Sequence, residues 1–131
     1  MKRSYRSFTE YATYIQSVLE EFRDVIADMV IEIFEATIEE GFIRGVITFI
    51  DGSRLSFLEY IRLQAGTLIK LKYRYHYEDH EGRLVFRYDN APHYRDVETF
   101  PHHKHLANGK VASSKEPLLE NILEEIVMTL G

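Results

Sequence analysis

Hydrophobic residues recur at helical spacing at both ends of the chain, and between them the period changes to two. Near the N-terminus Ser7 stands three positions before Glu10, a capping-box pattern, and Tyr11, Tyr14, Ile15, Val18, Leu19 and Phe22 then fall on one helical face. This predicts an amphipathic helix over residues 9–23. Near the C-terminus Ser113 and Glu116 repeat the capping pattern and Pro117 suits a first turn. Leu118, Leu119, Ile122, Leu123, Ile126, Val127 and Leu130 then make an apolar stripe. A second helix, ending before Gly131, is the expectation.

The middle of the chain is rich in β-branched and aromatic residues, in runs broken by short turn signals. Strands are predicted over residues 29–39, 42–50, 53–63, 67–78 and 83–90. Asp51-Gly52 reads as a two-residue hairpin turn, because glycine accepts the positive φ such a turn demands. That turn sets Ile50 opposite Ser53, Val46 opposite Phe57, Arg44 opposite Glu59 and Ile43 opposite Tyr60. A second turn over residues 79–82 sets Glu78 opposite Arg83, Tyr75 opposite Phe86, Arg74 opposite Arg87 and Lys72 opposite Asp89.

One sheet face then gathers Ile43, Ile47, Phe49, Leu58, Tyr60, Leu71, Tyr73, Tyr75, Tyr77, Leu84, Phe86 and Tyr88, a bed for both helices. The other carries Arg44, Glu59, Lys70, Lys72, Arg74, His76, Arg87 and Asp89, too charged for a core. Val46, Leu55 and Phe57 would lie exposed among them and need a cover, from a partner or a homodimer. The predicted fold class is α+β and two-layered: an N-terminal helix, a five-stranded antiparallel meander, a long histidine-rich loop over residues 91–112, and a C-terminal helix. Both helices lie on one face of the sheet. With 131 residues and no internal repeat or low-complexity linker, residues 1–131 are read as a single domain.

Composition narrows the function classes. There is no cysteine, which excludes disulfides and thiolate metal sites. No apolar run approaches the length of a membrane span or signal peptide, so a soluble cytoplasmic protein is expected. The net charge of -5 argues against a generally basic nucleic-acid binder. Its distribution changes that picture. Residues 66–115 hold nine of the 16 Lys and Arg against six of the 21 Asp and Glu, together with all six histidines. An anion-attracting patch within an acidic protein follows.

Four of those histidines, His93, His102, His103 and His105, fall in the loop beside Asp89, Arg95 and Lys104. Imidazoles there can pin a loop by hydrogen bonds to carbonyls and carboxylates. His103 and His105, which point the same way if extended, can also share a metal ion with His93. No standard zinc signature is present, however, and the adjacent His102 and His103 cannot easily share one ion. Cleavage of RNA by its own 2'-hydroxyl needs a proton acceptor, a proton donor and a cation to hold phosphate charge. The expected catalytic residues are His93, His102, His103 and His105, with Asp89 orienting a histidine. The expected phosphate-binding residues are Lys104, Arg87, Arg74, Lys72 and His76. No cofactor and no resident metal are expected, and no G-x-G-x-x-G or Walker pattern that would cradle a phosphate occurs. A basic face that binds RNA without cutting it remains an alternative, as does a histidine-ligated metal-dependent hydrolase.

The runs "LKYRYHYEDHEGRLVFRYDNAPH" and "FPHHKH", followed by an acidic amphipathic helix, resemble the TumE family of toxin components of prokaryotic toxin–antitoxin pairs. The resemblance runs from about Arg44 to the C-terminus. It is carried by Tyr88, Asp89, Asn90, His93, His102, His103, Lys104 and His105. The family often has two histidines after Ala-Pro, where this chain has His93-Tyr94. The resemblance implies a partner antitoxin with a helix-turn-helix DNA-binding domain, and by analogy raises the ribonuclease reading.

Overall fold

The computed structural model describes residues 3–92 and 97–130. Ser7 caps helix α1 (Phe8–Glu21) as expected, its hydroxyl accepting the Glu10 amide at 3.1 Å. A 3-10 turn (Arg23–Val25) leads into seven strands. They are β1 (Ile26–Glu35), β2 (Glu40–Phe49), β3 (Arg54–Gln64), β4 (Thr67–Glu78), β5 (Leu84–Asp89), β6 (His103–Leu106) and β7 (Val111–Ser113). Helix α2 (Leu119–Leu130) closes the chain. The architecture is α+β, with seven strands where five were expected. All pairs are antiparallel in sequence order, β1-β2-β3-β4-β5-β6-β7. The supposed loop of residues 91–112 contains β6 and the start of β7, so His103 and His105 belong to the sheet. No helix among the described residues is long and apolar enough to cross a membrane.

Helix α2 starts later than the capping pattern suggested. Ser113 ends β7, and the Leu118 amide donates to the side chain of Asn121 at 3.0 Å. Asn121 therefore supplies the reciprocal bond that the Ser113–Glu116 pair was expected to give.

The β2–β3 hairpin corrects the register. The Phe49 amide donates to the Ser53 carbonyl at 2.9 Å, leaving Ile50, Asp51 and Gly52 as a three-residue loop with Gly52 at φ +84°. This is a turn closed by a left-handed bulge residue, not a two-residue turn. The difference is one position, and one position turns every side chain of β3 over. Ile43 therefore meets Glu59, Arg44 meets Leu58 and Val46 meets Ser56. Leu55 and Phe57 are buried, so the expected apolar patch on the charged face reduces to Val46. Arg44 pairs across to Glu32 on β1 at 2.7 Å instead of to Glu59.

In the β4–β5 hairpin the shift is two positions: His76 faces Arg87 and Arg74 faces Asp89. Two positions preserve the faces. Tyr73, Tyr75 and Tyr77 are buried toward the helices, while Arg74 and His76 stay on the open side. A bulge after Tyr60 sets Lys70 opposite Ile61 and turns it inward.

Both helices cover one face of the sheet. Tyr11 of α1 donates to Glu59, and Tyr88 of β5 donates to Glu125 of α2 at 2.7 Å. Phe8, Ile15, Val18 and Leu19 from α1, and Leu119, Ile122, Leu123 and Ile126 from α2, bury against Ile43, Ile47, Leu55, Ile61 and the three tyrosines of β4.

Within that core lies a charged group. Glu59 is fully buried and accepts hydrogen bonds from Tyr11 and Tyr75. Lys70 Nζ lies 3.4 Å from Glu59, and donates to Tyr75 Oη at 2.6 Å and to the Pro117 carbonyl at 2.7 Å. The two tyrosine hydroxyls have pKa values well above normal, mainly through burial and then through the Glu59 charge. β1 forms one margin of the sheet. Its Val30 and Phe34 are more than half exposed, and Met29 and Ile33 are exposed on the opposite side.

Candidate functional site

The uncovered sheet face takes its side chains from alternate positions of neighbouring strands, and at β5–β6 these positions carry titratable groups. Asp89 pairs directly with His103, and Arg87 pairs with His105. Alternation sends His103 and His105 to the same side as Asp89 and Arg87, with Lys104 opposite. The His-x-His spacing therefore meets Asp89 because β6 is a strand.

His103 Nε2 is 2.8 Å from Asp89 Oδ1, and His105 Nε2 is 3.4 Å from Oδ2. The two imidazoles meet edge to face, with ring centroids 4.9 Å apart. His103 and Asp89 are buried, whereas His105 is half-buried. The Ala91 amide donates to Asp89 Oδ1 at 3.0 Å and fixes the carboxylate. His103 Nδ1 lies 2.9 Å from the carbonyl of Pro101, whose bond to Phe100 is cis. A carbonyl can only accept, so Nδ1 carries a proton there, and Nε2 faces Asp89.

Basic groups border this corner. Arg87 Nε is 3.4 Å from Asp89 Oδ2. Arg74, His76, Arg87 and Ser56 line a shallow depression, which adjoins a second one lined by Val30, Glu32, Arg44, Val46, Leu58 and Arg74 among others. Burial lowers the His105 pKa, and His103 and Arg87 add to this while Asp89 opposes it. His76 is lowered too, first by burial and then by Arg87, with Arg74 adding and Glu78 opposing. Lys72 is exposed on the same face, one alternate position along β4 from Arg74.

Two expected site residues lie elsewhere. Lys104 points toward α2, where it donates to Glu125 at 3.0 Å and its ammonium stands 4.7 Å from the centre of the Tyr88 ring. Burial works against its charge, but the bonds to Tyr88 and Glu125 outweigh that and raise its pKa. His102 stacks on Tyr73 and shares a 2.9 Å hydrogen bond with its hydroxyl, pinning the loop on the helix side. Neither stands beside His103 and His105 in the corner. His93 lies outside the described residues. Asn90 is structural: its side chain accepts from the Tyr73 amide at 3.0 Å and donates to the Leu71 carbonyl at 3.3 Å, continuing the pairing where β5 ends.

Two features escape sequence reasoning, namely Ser56 in the depression and the Pro101 carbonyl that orients His103. The first needed the correct β3 register, and the second is a backbone group with no signature.

No curated protein sequence and no solved structure matches the chain. A family model does match, that of the toxin TumE, over residues 15–130. It takes in the second half of α1, all seven strands and α2, well beyond the Arg44 limit of the sequence resemblance. The chain belongs to the TumE toxin family.

Proposed function

We propose that the protein is the toxin of a toxin–antitoxin pair and that it acts on RNA, cleaving a phosphodiester at the Asp89–His103–His105 corner. Family membership supports the toxin half of this reading and brings an antitoxin partner with it. From the sequence resemblance, that antitoxin is a helix-turn-helix DNA-binding protein.

One observation carries the RNA half. A carboxylate and two imidazoles converge at a single point of an open sheet face, and that point borders a depression lined by Arg74, His76 and Arg87. Guanidinium groups match phosphate geometry, and a chain of phosphates laid across β3 to β5 would run from Arg74 past Arg87 into the corner. The faces also separate duties. Glu59 and Lys70, which would have mixed charge into this surface, are sealed beneath the helices.

Incubation of purified protein with a mixed RNA pool, followed by analysis of fragment ends, tests the reading. Cleavage that disappears in His105→Ala while the fold is retained is the expected result. Intact RNA at all protein concentrations, with binding preserved, would overturn cleavage and leave a binding module.

A further inference from the structure

We propose that Asp89, His103 and His105 form a site for one transition-metal ion of the zinc class, with a fourth coordination position turned toward the Arg74–Arg87 depression and suited to a phosphate oxygen. The inference deepens the RNA reading, because it concerns the same corner.

The donor set comes first. Two imidazole nitrogens with one carboxylate suit zinc, cobalt or iron(II), whereas calcium and magnesium prefer oxygen ligands throughout. The three donor atoms lie within 4.8 Å of one another. In a tetrahedral zinc site with bonds of about 2.0–2.1 Å, ligand atoms stand roughly 3.3 Å apart, so movements on the order of 1 Å suffice to close the site. His103 Nε2 already stands 2.8 Å from one Asp89 oxygen, and His105 Nε2 stands 3.4 Å from the other.

Orientation supports the same assignment. The Nδ1–H of His103 is held by the Pro101 carbonyl, the outer bond that ligating histidines commonly make, and this aims Nε2 at Asp89. The frame is rigid, since β6 is paired on both sides: His103 with Asp89 and Ser113, and His105 with Arg87 and Val111. Among the described residues the ligand set is three, which matches the count of catalytic rather than structural zinc sites. Arg87 is the one cation within reach of the Asp89 carboxylate among the described residues, with its Nε 3.4 Å from Oδ2. It competes with the ion for that oxygen and does not serve as a ligand.

The sequence argument against a metal rested on the absence of a standard zinc signature and of cysteine, and on adjacent His102 and His103, which cannot easily share an ion. His102 lies on the Tyr73 side, and the pair that converges is His103 with His105.

Full-length protein stripped by chelator and dialysed is titrated with Zn²⁺ by calorimetry and with Co²⁺ by visible absorption. One equivalent should bind, with the visible bands of a four-coordinate cobalt site. Asp89→Asn and His105→Gln should each weaken binding by roughly a hundredfold or more, exceeding the loss of an outer hydrogen bond. His102→Ala should leave it unchanged, and Arg87→Gln should leave it unchanged or tighter. Absence of one-equivalent binding in the wild-type protein, or binding indifferent to both ligand replacements, overturns the site. RNA cleavage that persists in stripped protein with chelator also overturns it but keeps the RNA reading. Stoichiometric metal without RNA cleavage does the reverse.

Discussion

Two ionic clusters sit on opposite faces of the same sheet, and they resolve the problem of buried charge in opposite ways. On the helix side, Glu59 and Lys70 are sealed, with both carboxylate oxygens taken by tyrosines and the ammonium by Tyr75 and Pro117. On the bare side, Asp89 is also buried, but its neighbours His105 and Arg87 reach the surface and face an anion-attracting depression. A cluster closed on itself has nothing left to bind, so the Glu59 group holds the helices to the sheet. A cluster open along one edge can exchange its partners. Burial alone therefore does not mark a functional charge, whereas access for an incoming ligand does.

The largest effect expected from breaking this contrast is on the sealed side. Glu59→Gln leaves Lys70 buried without its counter-charge and should lower stability by about 3–5 kcal/mol in urea unfolding, with RNA cleavage per folded molecule unchanged. Glu59→Leu combined with Lys70→Met should recover most of that loss, a non-additivity that two unrelated sites would not give. On the open side the pattern inverts. Asp89→Asn keeps an acceptor for the Ala91 amide, so thermal unfolding should shift little while cleavage falls by roughly a hundredfold or more.

Smaller effects sharpen the depression's part in the comparison. Removing Arg74 and Arg87 should weaken RNA binding and flatten its salt dependence, by about 0.7 in the logarithmic slope for each lost phosphate contact on single strands. The smallest effect concerns His76, whose folded-state pKa is depressed by burial and by Arg87 and Arg74, with His105 adding and Glu78 opposing. A depressed histidine contributes stability that is present above the unfolded value of about 6.5 and lost as pH falls through the folded value. His76→Gln should therefore reduce the loss of stability on acidification from pH 7 toward pH 5, measured by thermal unfolding.

The two faces were not equally legible in the sequence. Alternation in "LKYRYHYE" separates tyrosines from basic residues whatever the hairpin does, because its register was off by an even number and the faces survived. For β3 the error was odd. Asp51-Gly52 signals a turn, but the dipeptide does not say whether Ile50 belongs to the loop, and that residue alone decides whether Glu59 is surface or core. Lys70 was hidden for a related reason, since its inward turn depends on a bulge. At the start of β6 the period of two is masked, because His103, Lys104 and His105, and His102 just before them, are all polar. Only pairing with β5 and β7 tells which of them face Asp89. The candidate residues could thus be chosen from the sequence, but not sorted between the Asp89 corner and a structural pin.

β1 leaves one margin of the sheet with a row of unpaired backbone groups and apolar side chains exposed on both sides. It is ten residues long and contains neither proline nor lysine, so Asp28, Glu32 and Glu35 supply the charge along it. Net negative charge keeps copies apart at a distance but acts little once two such edges meet. Self-association along β1 is then a hazard that rises with concentration and that a firmer core does nothing to relieve.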